Sequence, residues 1–569
     1  MTERQQQESD ISSEATSESV ADGGMTWTAQ LSVPVMVLLS FLFFAGSQWT
    51  HRWVPVFHDG LTTWEVAERM AEHPWAPFVY KLDVGHPPFV GWVLAMLWLV
   101  QLPPTLAMHL LMWLATAVLI GAVYGVGQKL GGRKVGVTAA IMTALHPVVY
   151  SQALQLNLDT HLAAYAWLAI YFAACGRPAL MTLALTAVTF TKLNGMFVLG
   201  PFMIYAFLGL ILSDHRFRWQ RWLSAFWPTL VPLLVFGCYT LIKWIETGHY
   251  FDTPGDFADG KQIALVSSLG QLYRHLIASW HQIFMGNGNN YILVLLLCCA
   301  VYLCFIALNK SHRERILHFL IPSNDSVDPS DNQGRKQFWC SLAPWQILIL
   351  VWLMFGCLWS LQSIRHHLPL IRYFMVCYPA LYLTLALLIS LAFPRRKTII
   401  LILLLLFWVG LCWLKWHRSH TSTFASLFGE KNQARIEEFL SFPRLEWTTN
   451  FEINLQFIDE MDLARSAAKW IDQELPDAQS VAVSWPFPRL LTEPTFNIVN
   501  RPLEPVNYYK HPLTEPIPDV IVHRNFDYFK QPPESVSMAE GYTRAIVFQA
   551  SGIWLQLYVL TELLNETPQ

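Results

Sequence analysis

The stretch FHDGLTTWEVAERMAEHPWAPFVYKLDVGHPPF, residues 57–89, gathers Asp59, Glu65, Glu68, Glu72, Lys81, Asp83 and His86 between two apolar runs. A carboxylate at a membrane–water boundary can take the proton of a hydroxyl that attacks a substrate with a polar head and a lipid tail. Asp59 is the best placed for that work. His58 and Gly60 flank it, and a glycine lets backbone approach a ligand closely. Its structural alternative is a plain N-cap for the helix that follows. Glu65, Glu68 and Glu72 recur at i, i+3 and i+7 of a helical pattern, so they share a face that reads as solvated.

Three further places set ionisable groups at the ends of apolar segments. Asp159, in NLD (157–159), stands where an apolar helix begins, and a charge there is expensive unless it has a task. An N-cap carboxylate is again the alternative. TFTKLNGMF (189–197) puts Lys192 and Asn194 in a tight turn, and RHHLPLIRYFMVCYPALYL (365–383) puts Arg365, His366, His367, Arg372 and Tyr373 before another apolar run. An anionic lipid phosphate would account for these basic groups; snorkelling to the lipid surface is the competing account. Asp59 and Asp159 could share a divalent cation, since hard cations favour carboxylate oxygens. YFDTPGDFADG (250–260) lacks the alternating spacing of a calcium loop and reads as a solvated loop.

The elements that must position these groups are membrane helices. Hydrophobic residues make up 53% of the 569 and charged residues 14%; the mean hydropathy is +0.33. Runs such as 399–414 and 292–308 can each cross ~30 Å of hydrocarbon. Spans are predicted near 31–50, 105–127, 135–150, 161–175, 179–191, 195–212, 223–243, 291–308, 345–361, 374–392 and 398–415. Residues 87–101 are too short to span and open with Pro87-Pro88, which predicts an interfacial or re-entrant helix. The nine cysteines all fall between Cys175 and Cys412, in or beside apolar runs, and read as small buried hydrophobes. No basic block points to nucleic acid, and neither a Walker motif nor a Gly-rich nucleotide fingerprint occurs.

Loop charge orients the set. Lys129, Arg133, Lys134, Arg177, Arg216, Arg218, Arg221, Lys310, Arg313, Arg315, Arg335, Lys336, Arg395, Arg396 and Lys397 fall on one side, which is therefore cytoplasmic. The pair Arg4 and Arg52 at the first span argues the other way, and the many later loops outweigh it. Residues 51–104, Asp159, Lys192 and Arg372 then face outward, at a cell membrane. The polar, acidic residues 1–24 read as a disordered cytoplasmic tail, and the first apolar run as a retained span. Residues 25–415 form the transmembrane domain. Residues 416–569 are polar, Pro-rich and aromatic, with an amphipathic helix at 462–476 and short buried strands at 480–485 and 519–523. The fold class is an all-α polytopic membrane domain of about eleven helices with a small C-terminal α/β domain outside.

Asp59 after the first span, AERM…W…P…GHPPF, NLD before a span, TKLNG and RY…YPALYL follow one another in an order that resembles the C-type glycosyltransferase superfamily. Within it the chain is most similar to the branch of dolichyl-phosphate-mannose protein mannosyltransferases and bacterial aminoarabinose transferases. The resemblance spans roughly residues 31–395; the ordered set carries it, and no single motif does. It implies Asp59 as catalytic base. The family's second acid has no match at Gly60, so Asp159 or Glu65 would supply it. The Lys/His-Pro-Pro element corresponds to His86, Pro87 and Pro88, the lysine turn to Lys192 with Asn194, and the Arg-Tyr element to Arg372 and Tyr373. These basic groups would hold the donor's phosphate.

The implied reaction moves a sugar from a polyprenyl-phosphate donor to a lipid, glycan or protein acceptor outside the membrane, with inversion. It requires no certain cofactor. A transporter would show paired broken helices and charges at mid-depth, and a scaffold would not need Asp59, Asp159 and Lys192 on one side. The ionisable groups cluster at span ends, which favours the enzyme.

Overall fold

The computed structural model describes residues 32–56, 60–74, 87–212, 219–247, 268–280, 283–284, 289–308, 338–339, 342–364, 371–416, 418–429, 431–433, 455, 457–483, 491, 498, 500–507, 518–524, 541–550 and 553–566. The expected tail 1–24, the residues Asp59 and His86 and the loop 250–260 lie outside them.

Each of the eleven apolar segments forms a helix. They are α1 (Val33–Gln48), α4 (Pro104–Gly131), α5 (Arg133–Leu145), α7 (Leu158–Ala174), α8 (Pro178–Thr191), α9 (Leu199–Ile211), α10 (Trp219–Thr247), α12 (Asn289–Ile306), α13 (Pro344–Ile364), α14 (Tyr378–Ala392) and α15 (Lys397–Trp416). Among the described residues, seven helices are long and apolar enough to cross a membrane: those beginning at Val33, Pro104, Leu193, Trp219, Asn289, Pro344 and Lys397. The other four are short of that length. The segment expected at 135–150 breaks at its Pro147: α5 stops at Leu145, His146 is extended, and Pro147 opens a six-residue helix, α6 (Pro147–Gln152). Proline has no N–H for the α5 ladder and pushes the residue before it out of helical geometry.

Between the first two long helices lie α2 (Gly60–Glu72) and α3 (Phe89–Leu99). The latter is the short helix expected at 87–101. It packs on α2 and on α4. α11 (Leu269–Trp280) precedes α12 and packs on α13. Small residues let the bundle close: Gly121 takes Val37 of α1 directly against the α4 backbone, where a Cβ would collide. Lys134 Nζ donates to Thr398 Oγ1, so two of the basic turns meet at the end of the bundle away from the start of α7.

After a short helix, α16 (Arg418–Ser426), the chain builds a smaller domain from α17 (Phe457–Glu474), a five-stranded mixed sheet and α18 (Thr561–Glu566). The strands are β1 (Ser480–Val483), β2 (Glu504–Asn507), β3 (Val520–Arg524), β4 (Tyr542–Ala550) and β5 (Ile553–Leu560), in the order β2-β1-β3-β5-β4. β1 runs parallel to β2 and β3, with Val481 opposite Val520, and β3-β5-β4 are antiparallel, with Ile521 opposite Tyr558. The expected helix at 462–476 starts five residues earlier and buries Leu463, Ala467 and Ile471 as its periodicity requires.

One apolar core joins this domain to the membrane part. Phe457, Met461 and Ile471 of α17 and the inner face of the sheet are continuous with Val54, Val56, Leu61, Trp64, Leu94 and Leu158. The Arg465 guanidinium also lies 4.8 Å from the Trp53 ring centroid. The C-terminal domain therefore seats on the same end of the bundle as α2, α3 and the start of α7.

Candidate active site

α7 begins with a built cap. Asn157 is extended, and its Oδ1 accepts from the Asp159 backbone N–H at 2.8 Å, while its Nδ2 donates to Gln152 Oε1. Asn157 is thus the N-cap, and Asp159 sits inside the first turn with its carboxylate free to project. The plain capping account of Asp159 is overturned by this geometry.

What the carboxylate meets decides its character. Asp159 Oδ1 lies 2.8 Å from Lys192 Nζ, and Oδ2 lies 3.4 Å from Arg372 Nε. The three side chains retain 4%, 7% and 8% of their accessible surface. Lys192 is the extended residue between α8 and a 3-10 turn at Leu193–Val198, and Arg372 belongs to a 3-10 turn at Ile371–Phe374. The Tyr373 ring packs under both cations, with its centroid 4.5 Å from Lys192 Nζ and 5.6 Å from Arg372 Cζ. Snorkelling is excluded for Lys192 and Arg372, because both heads are buried against a carboxylate and a ring.

Further contacts fix the Arg372 turn to α7. Trp167 Nε1 donates to the Val376 carbonyl at 2.9 Å, and Thr160 faces Met375. Tyr378 donates its hydroxyl to the Ile371 carbonyl at 3.1 Å, and the buried His146 ring lies on Tyr378 with centroids 4.2 Å apart. Sequence reasoning passed over Asn157, Trp167 and Tyr378. Only Asn157 had a readable signal, a capping residue two places ahead of an acid at a helix start.

The other expected residues are placed differently. Asn194 is half-buried on the turn after Lys192, outside the ion pairs. Glu65 is half-buried on α2, while Glu68 accepts from Trp64 Nε1 at 2.7 Å and Glu72 is exposed. Gly60 opens α2 so close to the segment before α7 that a Cβ would stand 2.6 Å from the Leu156 carbonyl oxygen. A second acid cannot be accommodated there. Leu156 is three residues from Asp159, so the neighbour of Asp59 in the chain touches the approach to the ion-paired cluster. A cleft lined by Thr62, Thr63, Pro87, Pro88, Gly91 and Leu158 opens between the starts of α2, α3 and α7.

Among the described residues the cluster joins two cations to one carboxylate in a site nearly closed to water, where charge interactions are little screened. It is suited to an anion. A divalent cation shared by Asp159 fits poorly, because both carboxylate oxygens already face side-chain cations that would repel it. Among the described residues no group of three His, Cys, Asp or Glu side chains could hold a metal.

The crystal structure of ArnT from Cupriavidus metallidurans bound to undecaprenyl phosphate superposes with a TM-score of 0.50 at 12% identity, over 94% of this chain and 98% of that one. The chain has the ArnT fold. The apo state of ArnT gives a TM-score of 0.48 at 14% identity over 94% and 99% of the two chains. The oligosaccharyltransferase of Archaeoglobus fulgidus in its apo form gives 0.40 at 11% identity over 85% and 65%. The likeness to ArnT runs over most of the chain, as the order of sequence motifs led us to expect. No family model and no curated protein sequence matches the chain.

Proposed function

We propose that the chain is an integral-membrane glycosyltransferase that moves a sugar from a polyprenyl-phosphate donor to a hydroxyl acceptor with inversion. The buried Lys192–Asp159–Arg372 cluster, set in a fold shared with a protein crystallised with undecaprenyl phosphate, is the observation that carries this reading. The phosphodiester of such a donor has one negative charge, which the Lys192 and Arg372 head groups can meet with charge-assisted hydrogen bonds. As the bond from the anomeric carbon to the phosphate oxygen breaks, the leaving polyprenyl phosphate gains charge. Lys192 and Arg372 are then stabilising an anion that grows in the transition state.

Asp59 is the base in this reading. It takes the acceptor's proton as the oxygen attacks the anomeric carbon from the face opposite the phosphate. Asp159 is less suited to that task, since its lone pairs are directed at two cations; it positions them for the phosphate. His86 and Asn194 add polar contacts around the donor head. The site and the C-terminal domain face away from the cytoplasm, as the loop charges indicate, so a reporter active only in the cytoplasm should stay silent when fused at Gln569.

Purification of the full chain with native lipids, followed by mass spectrometry, tests the function. A co-purifying polyprenyl-phosphate sugar that disappears in Lys192→Ala/Arg372→Ala is the expected result. Lipid retained in the double variant would remove the phosphate role from the cluster.

A further inference from the structure

A second polar cluster, unused by the phosphate grip, occupies the end of α13 from which the chain runs on to Arg372. It begins with an inverted helix. Along α11 the apolar Leu269, Tyr273 and Ile277 recur every four residues and are 85%, 66% and 47% exposed, while His275 and Ser279 are 5% and 0% exposed. A helix at the surface of a water-soluble protein does the opposite. Here an exposed apolar row with Arg274 beside it fits a lipid boundary, while His275 and Ser279 are turned into the bundle.

Against that polar face α13 sets Trp359, Gln362 and Ser363. Ser363 Oγ lies 3.1 Å from Ser279 Oγ and 2.9 Å from the Trp359 carbonyl. The remaining polar atoms are unmet. His275 Nδ1, Gln362 Oε1 and Trp359 Nε1 are each buried without a hydrogen bond, and the Gln362 residue is 4% exposed. A buried polar atom left unpaired is costly and calls for a partner that the protein itself does not provide.

The chemistry of the set identifies the partner. An indole N–H donates, an amide oxygen accepts, and an imidazole nitrogen does either according to its tautomer. The indole and the amide are uncharged, and no lysine or arginine belongs to the set, so the seam offers little to a phosphate. Two indole rings stand beside it, Trp280 and Trp359, with centroids 6.3 Å apart. Neutral donors and acceptors next to aromatic faces match the hydroxyls and C–H faces of an uncharged sugar. α13 also packs against the turns next to Lys192 and around Arg372, so the seam and the ion-paired cluster share one helix.

We propose that the seam between α11 and α13 binds the hydroxyls of an uncharged sugar carried by the donor lipid. The proposal rests on the glycosyltransferase reading, and two probes separate them: polyprenyl phosphate alone, and polyprenyl phosphate bearing a neutral hexose. Affinities of the purified full chain in detergent are measured for both. The unsubstituted protein should bind the hexose lipid more tightly than the bare lipid. Gln362→Leu and His275→Phe should each reduce that preference by roughly tenfold, leaving bare-lipid affinity unchanged, which also serves as the test that they have folded. Trp359→Phe keeps the ring and removes only the N–H, so it should give a smaller reduction without disturbing the packing. Equal affinity for the two lipids in the unsubstituted protein, or an unchanged preference in these variants, would overturn the seam and leave the phosphate site standing. Failure to bind either lipid would overturn the glycosyltransferase reading and the seam with it.

Discussion

Lys192 Nζ lies 2.8 Å from Asp159 Oδ1, across 33 residues of chain and two helices, in surroundings that leave neither side chain a tenth of its surface. Such a pair is costly to build and more costly to break. Asp159→Ala should lower stability by about 3–5 kcal/mol, because it leaves two cations buried without their anion. Asp159→Leu combined with Lys192→Met should recover part of that loss, read as thermal inactivation of the purified protein, without recovering sugar transfer. A double variant with normal transfer would show the pair to be packing alone.

Arg372 faces Asp159 through Nε and lies near the Tyr373 ring, a geometry that uses its plane as well as its charge. Arg372→Lys keeps the charge and loses the fork. Transfer should fall by about 10- to 100-fold in kcat/KM, equal to ~1.4–2.7 kcal/mol of transition-state stabilisation. Turnover equal to the parent would mean that only charge is used.

Gly60 is fixed by the Leu156 carbonyl oxygen, which a Cβ would approach to 2.6 Å. Because the obstacle is backbone, relief requires α2 to move away from the start of α7. Gly60→Ala should cost about 1–3 kcal/mol as overpacking. Gly60→Glu, which sets a longer and charged side chain against the same carbonyl oxygen, should be worse than alanine in both stability and rate. An active Gly60→Glu protein would contradict the close packing.

Asp59 and the α2 glutamates should separate cleanly. Asp59→Asn removes the base and should slow transfer by ~10²–10⁴-fold with little effect on stability. Glu68→Gln retains an oxygen for the Trp64 indole N–H, now 2.7 Å away, and should leave the rate near that of the parent. If Asp59→Asn works at the parent rate and Asp159→Asn is inactive, the base belongs to Asp159.

Much of this molecule was legible in its sequence, and the readable parts are local. Runs of apolar residues as long as a bilayer is thick became helices at the expected places, and the Pro147 break inside one of them obeys a rule that involves only the neighbouring peptide. In the C-terminal domain, the buried strands near 480 and 520 and the amphipathic helix before them followed from periodicity. The β4–β5 hairpin was not among the expected elements, although Ser551-Gly552 divides two runs rich in β-branched and aromatic residues. β2 was not readable: its EPVN contains a proline, tolerated here because β2 is an edge strand, and only the finished sheet has an edge.

For the site, the sequence determined the residue types and brought each acid or base to the end of an apolar segment. It left Asp159 open between a cap and a functional group, and Lys192 and Arg372 open between snorkelling and anion binding. What only the tertiary structure decided is what these groups face: it brings turns near residues 159, 192 and 372 together, which removes water from all three side chains. Helix formation depends on neighbours within about four residues, whereas the meaning of a charge depends on what it faces after burial, and that partner can come from anywhere in the chain.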